Sequence, residues 1–177
     1  MSGVIKVGGV PLVTHTGTDG LVTGMSWGSS VPAGTVLQTV YASASIGYNT
    51  ASNSFATGGN MTPTASITPA SGNDVLIWAT IPLADANGNY IYFDLRRAVS
   101  GGATTNNLSG EANGLMREGN DTLGNSVTLV FVDASPTADS ANVYNIQFRN
   151  NDNSTSVTAG DTDALAMIIL MEIANVS

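Results

Sequence analysis

The closing segment Leu165-Ala-Met-Ile-Ile-Leu-Met-Glu-Ile-Ala174 is apolar on both faces of any strand it forms. Side chains of a strand alternate, so Met167, Ile169, Met171 and Ile173 share one side while Ile168 and Leu170 share the other. A strand with one wet face shows polar residues at every second position. Here only Glu172 breaks the pattern. The large apolar side chains of this segment, Leu165 included, are worth roughly 10–20 kcal/mol if fully buried. Such a segment cannot hang as a loose tail. It belongs in the middle of a sandwich, between subunits, or in both places at once.

The length of 177 residues predicts one domain large enough for a core of its own. With no cysteine, disulfide frameworks and thiolate metal sites are excluded. Charged residues make up only 10% of the chain, whereas about 25% is usual. The chain holds 20 Thr, 18 Ser and 17 Asn, so hydroxyls and amides must clothe the surface. These residues disfavour helix interiors and favour strands and turns. A net charge of −8 with five cationic residues argues against nucleic acid as a partner. Arg96 and Arg97 are adjacent, so a strand points them to opposite faces and no basic patch forms. No run approaches the length of a membrane span, and Met1-Ser-Gly-Val-Ile-Lys6 lacks a signal-peptide core. The expectation is synthesis in a cytoplasm without a secretion address, and no membrane partner.

Residues 1–34 are rich in Gly and Pro and carry short apolar couplets, Val4-Ile5 and Leu12-Val13, together with Trp27. They read as an extended docking arm holding at most one hairpin. Residues 35–177 read as an all-β domain with strands near 35–42, 52–57, 64–68, 74–82, 89–97, 126–133, 142–149 and 164–174. Val127, Leu129 and Phe131 share one face, as do Tyr144, Ile146 and Phe148, and Ile91, Phe93 and Leu95. Asp85-Ala-Asn-Gly-Asn89 carries the Asn-Gly hairpin signal between two apolar runs. Residues 98–125 read as a long surface excursion, with some helical flavour only at 110–118. About eight strands and almost no helix predict a closed or double-sheet β architecture.

Gly34-Thr-Val-Leu-Gln-Thr-Val40, Ser66-Ile-Thr-Pro69, Phe93-Asp-Leu-Arg96, Phe131-Val-Asp-Ala-Ser-Pro136, Val143-Tyr-Asn-Ile-Gln-Phe148 and Ile169-Leu-Met-Glu-Ile-Ala174 follow one another in a characteristic order. The series resembles bacteriophage virion proteins, of marine and cyanophage type, with a tumour-necrosis-factor-like jelly roll. The resemblance covers about 34–177. It implies a jelly-roll β-sandwich of about eight antiparallel strands, and a homotrimer that packs apolar faces around a threefold axis. It implies a non-enzymatic virion protein, either capsid cement or the receptor-binding tip of a tail or head fibre. The first expectation is cement: a decoration trimer on the head whose arm reaches between copies of the major capsid protein. Host surface glycan or protein is the partner in the second, through loops 43–63, 98–125 and 150–163.

The chemistry-bearing residues are few. Asp85–Asn89 begins like a calcium loop but has Tyr90 and Arg96 where Gly and Glu are required. Asp152, Asp161 and Asp163 are candidates for a shared cation, with turn capping the more ordinary role. His15, the sole histidine, lies in the arm, which disfavours a serine triad. Glu111, Glu118 and Asp121 are the acids that a glycosidase reading would have to use. Glu172 needs a partner if buried, and Arg96 is the favoured one, with Arg97 and Arg149 behind it. Tyr90 and Tyr92, flanked by Trp78, read as core, or as a sugar-stacking patch if exposed. No cofactor is expected.

Overall fold

A computed structural model describes residues 3–7, 10–15, 31–45, 47–56, 58–82, 84–85, 89–100, 102–119, 125–153, 156–160 and 163–175. Side chains are described within these ranges except at 3–15, 61–62 and 84–85. Among the described residues there is no helix, and every strand pairing is antiparallel. β1 (Gly3–Val7) and β2 (Val10–His15) form a hairpin with Val7 opposite Val10, leaving Gly8-Gly9 between them. This hairpin carries Val4, Ile5, Leu12 and Val13. Their side chains, and Trp27, lie outside the described residues, as does any docking role for them.

Two four-stranded layers make the body of the fold. The first runs β11 (Val127–Asp133), β6 (Asp74–Ile81), β14 (Ala166–Ile173), β3 (Val36–Ala44). The second runs β10 (Met116–Gly119), β8 (Tyr90–Val99), β12 (Asn142–Asn150), β5 (Gly59–Ile67), with the short β9 (Thr104–Thr105) also paired to β8. A small sheet of β4 (Tyr48–Thr50), β13 (Val157–Ala159) and β7 (Ala84–Asp85) lies beside them. The inner faces meet in one core. Ile77, Ala79, Leu129, Ile168 and Leu170 from the first layer join Phe93, Leu95, Tyr144, Ile146 and Phe148 from the second. Phe93 and Phe148 are cross-strand partners with tilted rings, centroids 6.2 Å apart. Gly59 sits opposite Phe148 on β5, and a Cβ there would clash with the phenyl ring.

Seven of the expected strands are present. The expected strand at 52–57 is a turn, and its place among eight is taken by β10, inside the supposed excursion. Helix does not form at 110–118. Gly110 and Gly114 have positive φ (75° and 68°) and bend the chain so that Leu115 N–H can reach the Phe93 carbonyl at 2.8 Å. Asn87-Gly88 lies outside the described residues, but β6 and β8 on either side of it lie in different sheets and do not pair with each other. Local turn chemistry cannot tell a return within a sheet from a passage between two.

Candidate functional site

The closing strand is central in its layer, between β6 and β3. Its burial alternates strictly. Ile168 and Leu170 are fully buried in the sandwich, whereas Met167, Ile169, Met171 and Ile173 occupy the outer face and are half-buried. Cross-strand register lines up their neighbours. Val130, Trp78, Ile169 and Tyr41 form one row across all four strands, and Val132, Leu76, Met171 and Thr39 form the next. Tyr41 is 58% exposed, Val130 57%, Val132 46% and Trp78 45%. Thr128, Thr80, Met167 and Ser43 complete the face, and Asp74 is the one acid, at its end beside Ile173. A sheet face at ordinary strand spacing covers about 15 Å by 20 Å, the scale of the largest apolar patches on soluble monomers.

Trp78 therefore does not join Tyr90 and Tyr92, as the aromatic-trio reading expected. It stands on the outer face of the first layer, while the tyrosines stand on the outer face of the second. Neither arrangement is the sandwich core. The reason is again that β6 and β8 are not neighbours.

Glu172 points inward and is 4% exposed, but Arg96 does not meet it. Three neutral donors do. Gln38 Nε2 donates to Oε2 at 2.6 Å, while Asn73 Nδ2 (2.6 Å) and the Ala70 N–H (2.8 Å) donate to Oε1. Arg96 is on β8, in the opposite layer and on its outer side. The arginine that enters the core region is Arg97, whose NH1 lies 2.6 Å from Asp133 Oδ2. Tyr144 OH donates to the same oxygen at 2.7 Å, so β8, β11 and β12 are tied at one buried carboxylate. Burial, then the adjacent Asp133, pushes the Tyr144 phenol above its ordinary range.

The second layer's outer face is covered by loops. Asp94, fully buried, accepts from the backbone of Leu95 (2.6 Å) and Ser109 (3.2 Å) and from the Ser109 hydroxyl. Its cross-strand partner Gln147 is equally buried. Gln147 Oε1 accepts from Asn107 N–H at 2.9 Å, and Nε2 donates to Asn106 Oδ1 (3.1 Å) and to the Phe55 carbonyl. One glutamine thus joins the 51–56 turn to the 106–112 loop. The 150–153 turn joins the same cluster, since Asn53 N–H donates to Asn153 Oδ1 at 3.0 Å and Asn150 N–H to the Ser52 carbonyl at 2.7 Å. Between the turn and the loop lies an open cleft of about 420 Å³, lined by Asn53, Ser54, Phe55, Asn106, Asn107 and Arg149, with Ala56 and Ala112.

Sequence reasoning overlooked Phe55 and weighed Arg149 only as a partner for Glu172. The one signal for the cleft was Gln147, an amide on the outer side of β12. Glu118 accepts from Asn125 Nδ2 at 2.6 Å, and Glu111 is exposed on its loop, so the two have separate surroundings. Asp121 and Asp161 lie outside the described residues. Among the described residues no group of three or more His, Asp or Glu is placed to hold a metal ion; with Asp161 outside those residues, the Asp152, Asp161 and Asp163 candidate lies outside them too. No helix is long and apolar enough to cross a membrane. Neither a scan of protein-family models nor a search of curated protein sequences gives a match to this chain.

Proposed function

We propose that this chain is a non-enzymatic structural protein of a phage particle, a homotrimer seated on the head as a cement or decoration protein. The observation that carries the reading is the outer face of the β11-β6-β14-β3 layer. It is continuous, apolar and almost free of charge. A chain of net charge −8 repels its own copies everywhere except across such a neutral face. Trp78 and Tyr41 are the aromatic anchors that protein interfaces favour. A second and third copy of the same chain supply this face with a neutral, apolar cover. The order of the eight strands that make the two layers also supports the family resemblance. Counted along the chain, one layer holds the first, eighth, third and sixth strands, and the other the second, seventh, fourth and fifth. Two Greek keys wrapped as a jelly roll give this succession.

The reading makes the major capsid protein or another virion protein the partner of the assembled trimer. Two measurements test it. Sedimentation equilibrium at micromolar concentration should report three times the chain mass of 18.0 kDa, and a lone folded monomer would remove the basis of the proposal. Immunogold against the chain should then decorate phage heads. Label confined to the tail would replace cement by a fibre role.

A further inference from the structure

We infer that the cleft between residues 53–56 and 106–112 is a binding site for an acidic saccharide, with Arg149 holding its carboxylate. Four observations lead there, and none depends on the trimer.

The first is the disposition of charge. Of the four arginines, Arg97 is paired with Asp133. Arg96, Arg117 and Arg149 all occupy the outer side of the β10-β8-β12 face, by the strand alternation and the register. Arg117, Tyr92 and Arg149 form a single cross-strand row. Arg149 lines the cleft, and Arg117 stands two strands away in its row. Among the described residues no carboxylate lines it.

The second is the preparation of Arg149. Its guanidinium stacks on Tyr92, 4.1 Å from the ring centroid, and lies 5.2 Å from that of Phe55. NH1 donates to the Asn150 carbonyl at 2.9 Å and NH2 to the Ala112 carbonyl at 2.7 Å. A guanidinium has five N–H donors, so these two bonds fix its plane and leave others for a ligand. Stacked, planar and unpaired, it is suited to bidentate recognition of a carboxylate.

The third is the lining. Asn53, Asn106, Asn107 and Ser54 offer amides and a hydroxyl, the groups that exchange hydrogen bonds with sugar hydroxyls. Ala56 and Ala112 keep the walls low. About 420 Å³ is at the small end of ligand pockets, which suits one or two sugar rings.

The fourth is rigidity. Gln147 is fully buried beneath both lips and bonds to each. Asn107 adopts a left-handed backbone, φ 54°, uncommon outside glycine and held by these contacts. Surface loops that merely connect strands do not need a buried amide to set their separation.

The site faces away from the apolar sheet of the proposed assembly, so both can operate in one particle. Two-dimensional NMR titration of the full chain tests the inference, with methyl β-glucuronide and N-acetylneuraminate as acidic probes, methyl β-glucoside as the neutral match and acetate for charge alone. At least one acidic sugar should shift the amides of 53–56 and 106–112 with a Kd on the order of 1 mM, and should bind about tenfold more tightly than glucoside or acetate. Arg149→Lys keeps the charge but loses the fork and should weaken binding about tenfold. Asn53→Ala, on an exposed turn that leaves Gln147 untouched, should weaken it severalfold without changing the melting temperature. Silence from both acidic sugars at 20 mM, equal shifts with glucoside or acetate, or an unaffected Arg149→Lys would each overturn the site. Sedimentation of the same samples reports assembly separately, so loss of sugar binding and loss of the trimer are told apart.

Discussion

Glu172 and Asp133 lie in one cross-strand row of the first layer, on either side of Val75, and both carboxylates are buried. At ordinary strand spacing they are about 10 Å apart. They are satisfied by opposite means. Glu172 is caged by two side-chain amides and a backbone N–H, with no cation. Asp133 is met by a guanidinium and a phenol. Each reaches away from its own strand: Glu172 to β3 and the 68–73 turn, Asp133 to β8 and β12. Together they close one end of the sandwich with polar bonds where the apolar core stops.

Glu172→Gln replaces an acceptor-only carboxylate with a group that also donates, and it faces two amide donors. One hydrogen bond becomes a donor–donor clash in a buried site. We expect a loss of about 1–3 kcal/mol of stability, read as a lower urea midpoint. An unchanged midpoint would mean the cage is incidental.

The Asp133 network predicts an unequal pair of variants. Tyr144→Phe removes one bond and should cost about 1 kcal/mol. Asp133→Asn leaves Arg97 without its counter-charge, and should cost about 3–5 kcal/mol. If the two substitutions cost the same, the ion pair is not what the carboxylate is there for.

Tyr144 also sets a limit in alkali. Its folded pKa is raised by burial and then by Asp133, whereas the unfolded phenol titrates near its ordinary value of about 10. The unfolded chain therefore releases this proton first. The contribution is complete below pH ~10 and is lost as pH climbs beyond it. Melting temperature should fall above that point, and less steeply in Tyr144→Phe. Parallel curves for the two proteins would contradict the assignment.

Trp78→Glu and Ile169→Glu place a charge in the middle row of the apolar face. Neither side chain enters the sandwich core, so the fold should persist with near-wild-type circular dichroism. The proposed trimer should fall to single chains by sedimentation. Trimers that survive both substitutions would show that another surface holds them.

Gly59→Ala tests the packing of the second layer. Its added methyl collides with the ring of Phe148, which is itself fully buried and cannot withdraw. A loss of about 1–3 kcal/mol follows from overpacking, and Phe148→Leu in the same chain should return part of it. A neutral Gly59→Ala would place the ring elsewhere.

Period-two alternation was enough to identify β8, β11 and β12, through the sets Ile91, Phe93 and Leu95, Val127, Leu129 and Phe131, and Tyr144, Ile146 and Phe148, whereas β14 stood out by being apolar on both sides. β10 escaped notice because Met116-Arg-Glu-Gly119 is an edge strand with too few apolar positions to show a period. Glu172 was legible as an anomaly but its partners were not. Gln38 and Asn73 stand 134 and 99 residues from it in sequence, and charge alone drew attention to arginines. The cleft was legible only in outline. Loops 43–63, 98–125 and 150–163 were marked as candidates, and parts of all three do converge; which residues face one another there depends on how β8 and β12 align.

What the residues determined unaided was local: strands rather than helices, a closing strand apolar on both sides, and a composition poor in charge and rich in hydroxyls and amides. These follow from side-chain alternation and composition, which are properties of neighbours in the chain. Which strand pairs with which was decided only in three dimensions. That choice parted Trp78 from Tyr92, gave Glu172 its amides, and set Arg149 beside Phe55. Each of those contacts joins positions far apart in sequence, and packing two sheets against one core selects them with no local signal to announce it.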